Sequence, residues 1–249
     1  MGRFKYLDII LGLFVSVLLI SNVASSAKIV ELGQIGPLAL TFDAGTLVFP
    51  LSYIFSDVLT EVYGYKNARR VIWIGFFCLL LTSLVLIVVG RLPGEAFWLS
   101  TTASGDAAAA ADFGQQAYDK IFGLTVRIVL GSLAAYWCGS FLNDFLLARL
   151  KIRTAGRYLW VRTIASTLIG EGVDTLIFAL IAFGGVLPTE ILATLIVSNY
   201  VFKVGVEVVF TPLTYAIVNG LKRAEGVDVY DRDTDFNPFI LSTPQGQAK

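Results

Sequence analysis

The chain has 249 residues, of which 56% are hydrophobic and only 15% charged, with a mean hydropathy of +0.73. Soluble domains carry about a quarter charged residues, so a soluble globule is excluded and a single membrane domain is expected. The 19 basic and 19 acidic side chains cancel, leaving no basic face for a nucleic-acid partner, and with histidine absent any proton chemistry falls to carboxylates and no cofactor is expected.

Six apolar runs are long enough to cross ~30 Å of hydrocarbon. In chain order they are residues 7–27, 40–63, 71–90, 121–147, 159–184 and 191–221. The predicted fold is therefore all-α: a polytopic membrane protein with six transmembrane helices in residues 1–221 and a short tail in 222–249. The first run follows a basic stretch, as a signal peptide would, but its length and the lack of a small-residue cleavage site predict a retained helix. Cys78 and Cys138 each fall within an apolar run and read as small buried hydrophobes.

Short cytoplasmic loops are enriched in Lys and Arg. With the N-terminus inside, thirteen basic residues fall on the inner side, from Arg3 and Lys5 to Arg232 and Lys249, against Lys28, Arg91 and Lys120 outside. Both termini are expected to be cytoplasmic. The outer loop from Arg91 to Lys120 is the longest insertion, and composition leaves its stretch 107–111 open between a short interfacial helix and a mobile segment. The tail is acidic through Asp228, Asp231, Asp233 and Asp235 and is expected to be a small appendage. Six helices also allow an inverted repeat of three plus three, for which the acidic second helix of each half is a weak echo.

Ten ionisable residues lie inside or at the edges of these runs: Asp43, Asp57, Glu61, Arg127, Asp144, Arg162, Glu171, Asp174, Lys203 and Glu207. A charge at the bilayer centre costs about 2.5 to 3.5 kcal/mol on insertion scales, so such groups face a bundle interior or cavity and mark a substrate or ion path. Asp57 and Glu61 share a helical face four residues apart and resist joint ionisation, which suits proton coupling or gating; the alternative is a salt-bridged helix end beside Lys66, Arg69 and Arg70. Glu171 and Asp174 sit mid-run, flanked by Gly170 and Gly172, glycines that permit close helix approach. Asn199, Lys203 and Glu207 form a stripe of period four, read as a cavity wall with Glu171 and Asp174, or as a Lys203–Glu207 pair that locks the helix. Arg127 and Arg162 read as anchors or carboxylate partners. Ser21, Asn22, Ser25 and Ser26 make a polar stretch in the first helix, and Trp73, Trp98 and Trp160 fit interfacial belts. There is no Walker lysine motif and no G-x-S-x-G elbow, so an enzyme is not expected.

The run FPLSYIFSDVLTEVYGYKNARR from Phe49 to Arg70 resembles the signature of the bacterial queuosine precursor transporters, grouped with vitamin-uptake-type carriers. The segments 159–185 and 221–239 resemble the family's fifth helix and its tail, in the family's order. The resemblance implies a multi-pass protein of the bacterial cytoplasmic (inner) membrane that imports 7-cyano-7-deazaguanine or 7-aminomethyl-7-deazaguanine, bases salvaged for a modified tRNA nucleoside. On that footing Glu171 and Asp174 would accept from the N–H edge of the base, Asn199 would donate and accept, and Tyr53 or Tyr200 would stack on the ring. Asn22 completes the candidate binding set. A secondary carrier is expected. The alternatives are a substrate-capture subunit that needs a separate ATPase, and a ligand-free protein whose charges only fix helix register. A homodimer is left open.

Overall fold

The computed structural model describes residues 4–35, 38–100, 112–123, 126–232 and 234–240. The side chains at 29, 31–32, 34–35, 38–41 and 126–127 are not among those described, so the expectations for stretch 107–111, Asp233 and the Arg127 side chain lie outside the described residues. The elements in order are helix α1 (Leu7–Ala27), strands β1 (Ile29–Ile35) and β2 (Leu38–Asp43), a 3-10 turn (Ala44–Leu47), and helices α2 (Phe49–Tyr63), α3 (Tyr65–Gly90), α4 (Ala96–Ser100), α5 (Phe113–Phe122), α6 (Val126–Arg153), α7 (Leu159–Phe183) and α8 (Thr189–Glu225). The protein is a helical membrane protein with one antiparallel hairpin added. Four of the helices, α1, α3, α7 and α8, are long and apolar enough to cross a bilayer.

The second apolar run is not one helix. Its first residues form β2, paired with β1 from Ile29↔Asp43 to Ile35↔Leu38. Asp43 then breaks the strand, accepting from the backbone N–H of Thr46 at 3.0 Å and from its hydroxyl at 2.8 Å, which caps the 3-10 turn. Gly45 presses the turn against Ser21 and Ser25 of α1, leaving no room for a Cβ. Pro50 opens α2, which runs only 15 residues. At ~1.5 Å per residue that is about 22 Å, less than the hydrocarbon thickness. Apolar content alone does not separate a strand from a helix, so strand, turn and helix share one apolar run in the sequence.

The other ends shift less. Helix α3 begins at Tyr65, six residues before the third run, and α6 extends to Arg153. The fourth run's first residues, Ile121 and Phe122, belong to α5. Helix α8 passes through Pro212 without a break and continues to Glu225.

The end of α8 meets the start of α1. The Glu225 carboxylate accepts from the backbone N–H of Lys5 at 2.8 Å and of Tyr6 at 2.7 Å. The same end carries Lys66, Arg69, Arg149, Lys151, Arg157 and Lys222, and is called here the basic end. The β1–β2 hairpin with α4 and α5 closes the opposite end. Gly226, with φ +68°, stops α8, and the following residues lie back across the basic end. Asp231 accepts from the N–H of Tyr65 at 3.0 Å and so caps α3, beside Gly64 at φ +82°. Arg69 donates to the carbonyls of Asp235 (2.9 Å) and Asn237 (2.6 Å), and Trp73 donates to that of Pro238 at 2.8 Å. Phe236 packs on Tyr65 and Phe145, with the Arg149 guanidinium 4.4 Å from its ring centre. The tail is thus a docked strap as far as Ile240.

The bundle is polar inside and apolar outside. Ile9, Leu13, Leu81, Leu84, Leu176, Leu180, Val201 and Val209 are exposed, whereas Asp57, Asp144, Arg162, Glu171 and Glu207 are each at most 1% exposed. That inversion suits a hydrocarbon surround, where apolar side chains face lipid and ionisable ones face the interior.

Candidate functional site

Four elements converge at mid-bundle. On α8, Asn199, Lys203 and Glu207 recur every four residues and face inward together. The Lys203 ammonium lies 2.8 Å from Asp174 Oδ2 and 3.1 Å from Glu171 Oε2, both on α7 and themselves one turn apart. The Phe49 ring at the start of α2 closes the other side, its centre 4.3 Å from Lys203 Nζ and 5.7 Å from the Tyr53 ring centre. One ammonium thus lies between two carboxylates beside an aromatic ring, a layer in which all three ionisable groups are buried. Glu171 Oε1 and the buried Tyr53 hydroxyl have no hydrogen-bond partner among the described residues. A buried polar atom without a partner costs about 1 to 3 kcal/mol, so these atoms are available to a ligand.

The layer depends on close helix approach. Gly139 of α6 and Gly170 of α7 face each other: a Cβ on Gly139 would stand 2.6 Å from the Tyr53 hydroxyl and 2.8 Å from Asp174 Cβ, and one on Gly170 would stand 2.8 Å from Asn143 Cβ. Gly139→Ala is therefore expected to push Tyr53 and Asp174 off their positions and to cost about 1 to 3 kcal/mol, as overpacked cores do. The check is a lower melting temperature together with weaker ligand stabilisation; a variant as stable as the parent and equally responsive to ligand would refute the contact.

Toward the hairpin end, Thr46 lies 3.5 Å from Asn199 Oδ1 and also serves Asp43. Toward the basic end, Asn143 donates to Asp57 Oδ1 at 2.7 Å and Ser56 donates to Asp144 Oδ1 at 2.7 Å. Among the described residues the Glu207 carboxylate, 1% exposed, has no hydrogen-bond partner on either oxygen and makes no ion pair with Lys203. The i, i+4 pair that the spacing offered is overridden by the two carboxylates that α7 brings in.

Asp57 and Glu61 have different surroundings despite sharing a face of α2. Glu61 Oε1 is 2.8 Å from Arg162, 2.7 Å from Lys222 and 3.5 Å from Lys151. Arg162, fully buried, also donates to Thr154 Oγ1 and to the Arg157 carbonyl. Asp228 of the strap joins the same hub, 2.6 Å from Lys151 and 2.9 Å from Lys222. Partial burial opposes its charge, but the hydrogen bonds from Lys151 and Lys222 outweigh that and hold its carboxyl below the ordinary aspartate range. Such a group keeps its stabilisation above the unfolded value of about 3.9 and loses it only as pH falls through the lower folded value, so the strap stays paired near neutrality. Of the two cations expected to be anchors or carboxylate partners, Arg162 is a carboxylate partner.

Two candidates lie apart from the layer. Tyr200 donates to the Leu168 carbonyl at 3.0 Å and packs near Gly172, on the outer side of the α7–α8 contact. Asn22 bonds back to the Leu18 carbonyl of its own helix at 2.9 Å. Conversely, Phe49, Gly139, Asn143, Lys151 and Lys222 belong to these networks though neither motif nor spacing marks them as site residues. Only Asn143, polar within an apolar run and beside Asp144, carried a signal in the sequence.

Residues 43–217 match the sequence profile of the family described as "Putative vitamin uptake transporter". The chain belongs to the vitamin uptake transporter family. The match spans the whole layer from Asp43 to Glu207 and stops short of the strap. Within the family, the chain is 30% identical over 207 residues to a "Probable queuosine precursor transporter" of Bacillus subtilis, covering 83% of each chain. It is 28% identical over 177 residues to the "Queuosine precursor transporter" of Escherichia coli K12, covering 70% of this chain and 71% of that one. A "Probable queuosine precursor transporter" of Haemophilus influenzae is 27% identical over 198 residues, covering 77% of this chain and 74% of its own length. No solved structure matches the chain.

Proposed function

We propose that this family member is a secondary carrier that brings queuosine precursors, 7-cyano-7-deazaguanine or 7-aminomethyl-7-deazaguanine, across the bacterial cytoplasmic membrane. The names of its relatives support the cargo class. In this reading α1, α2 with its preceding turn, α3, α6, α7 and α8 cross the membrane, and the basic end with both termini faces the cytoplasm, as the concentration of Lys and Arg there favours.

The observation that carries the reading is the buried Lys203–Glu171–Asp174 cluster beside the Phe49 ring. A deazaguanine offers ring and amino N–H donors beside a carbonyl acceptor. Glu171 Oε1 would accept from the donors, Lys203 or Asn199 would donate to the carbonyl, and the Phe49 and Tyr53 rings would cover the flat face. Discrimination against a lipid-soluble heterocycle then comes from buried polar groups that only the correct edge satisfies. Because α2 begins inside the bundle and packs against α8, rocking of these helices against α6 and α7 would open the layer to one side at a time.

Thermal unfolding of the purified protein with each base, and with guanine as control, tests the reading. A ligand at about 100 times its Kd adds about 2.7 kcal/mol to the folded state, so a clear rise in melting temperature is expected for at least one deazaguanine. No shift with either base at millimolar concentration would remove the cargo assignment.

A further inference from the structure

The charges of the interior do not balance. At the basic end three cations, Arg162, Lys151 and Lys222, meet two carboxylates, Glu61 and Asp228. At mid-bundle the single ammonium of Lys203 is shared between Glu171 and Asp174, and among the described residues no Lys or Arg stands within ion-pair distance of Asp57 or Glu207. Both are buried, at 0% and 1% exposure. Asn143 holds Asp57 by Oδ1 alone, leaving Asp57 Oδ2, Asn143 Oδ1 and both Glu207 oxygens without partners. Asp57 stands on α2 and Glu207 on α8, two helices that pack against each other, and α8 also packs on α7. Two ionised carboxylates left there without a counter-ion would cost several kcal/mol each.

We propose that Asp57 and Glu207 together bind one proton that is carried inward with the substrate, the proposal resting on the carrier reading above. On the outer side a proton from water forms an O–H bond on one of the two carboxylates, which removes one negative charge; on the inner side that bond breaks and the proton returns to water. Asn143 orients the pair by fixing Asp57 Oδ1. On the elements packed around the pair the buried ionisable groups include Glu171 and Asp174 of α7, Asp144 of α6, Tyr53 and Glu61 of α2, and Lys203 one turn along α8. Glu61 is not the second partner, since Arg162 and Lys222 already neutralise it. A hard metal cation takes about six to eight oxygens, more than the unpartnered set here supplies, whereas a proton needs only the two carboxylates.

The experiment uses the full chain in liposomes with labelled 7-cyano-7-deazaguanine, a neutral probe. Exchange of labelled for unlabelled base without any gradient is compared with net accumulation driven by an acid-outside pH gradient or by an inward sodium gradient. The parent should exchange, accumulate base only with the pH gradient, and make an unbuffered outer medium more alkaline as base enters. Asp57→Asn should keep exchange and lose accumulation at least tenfold, and Glu207→Gln should lose accumulation to the same extent. Accumulation by either variant equal to the parent's, accumulation driven by sodium alone, or parent uptake without alkalinisation would overturn the proposal. The alkalinisation needs no variant, so misfolding of a mutant cannot shield it. A parent without any exchange would overturn the carrier reading itself.

Discussion

Lys203→Ala is expected to abolish uptake and to lower stability by about 3 to 5 kcal/mol, because Glu171 and Asp174 would be left as buried anions without the ammonium that lies 3.1 and 2.8 Å from them. Against a total stability of about 5 to 15 kcal/mol, that loss alone would cut the yield of folded protein. A triple variant separates fold from function. Lys203→Met with Glu171→Gln and Asp174→Asn removes every charge of the cluster at nearly constant volume, and should regain much of the melting temperature while remaining unable to bind the deazaguanines. If the triple variant still shows ligand stabilisation equal to the parent's, the cluster does not read the base. If Lys203→Ala alone melts with the parent, the ion pairs contribute nothing and the layer is misassigned.

The second large effect is expected at the basic end. Glu61 sits 2.8 Å from Arg162 and 2.7 Å from Lys222, with its side chain 1% exposed. Glu61→Gln should destabilise the protein by about 3 to 5 kcal/mol, the cost of stranding a buried guanidinium, rather than the 0 to about 1 kcal/mol of a surface pair. Arg162→Met in the same background should recover part of the loss, and the non-additivity of the two changes measures the pair directly. Because Asp228 shares Lys151 and Lys222 with Glu61, the single variant should also loosen the strap, seen as faster proteolysis after Gly226. Additive effects, or a Glu61→Gln change below 1 kcal/mol, would show that the hub is solvated and not structural.

Much of this organisation was legible in the sequence. A carboxylate or ammonium inside an apolar run has one physical solution, the bundle interior, so the inward placement of Glu171, Asp174, Lys203 and Glu207 followed from cost alone. Pairing did not, because spacing along one helix says who shares a face but not which helix lies opposite. Lys203 therefore found Glu171 and Asp174 rather than Glu207, and Glu61 found Arg162 and Lys222 rather than its neighbours Lys66, Arg69 and Arg70. The broken second run was hidden for a different reason: Leu38–Asp43 is apolar and short, and its change from strand to turn rests on a cap by Asp43 that a hydropathy window averages away. The strap was hidden by its polarity. Its docking depends on backbone carbonyls taken up by Arg69 and Trp73 and on the Phe236 contacts, none of which composition reveals.

A mid-bundle layer that takes a deazaguanine edge and passes it through the membrane without other proteins is most directly tested by transport itself. Purified full-length chain alone in sealed liposomes should accumulate labelled 7-cyano-7-deazaguanine or 7-aminomethyl-7-deazaguanine, with excess unlabelled base blocking the uptake and Lys203→Ala eliminating it. Folded, reconstituted protein that admits neither base, or admits one only when a partner ATPase is added, would contradict the account.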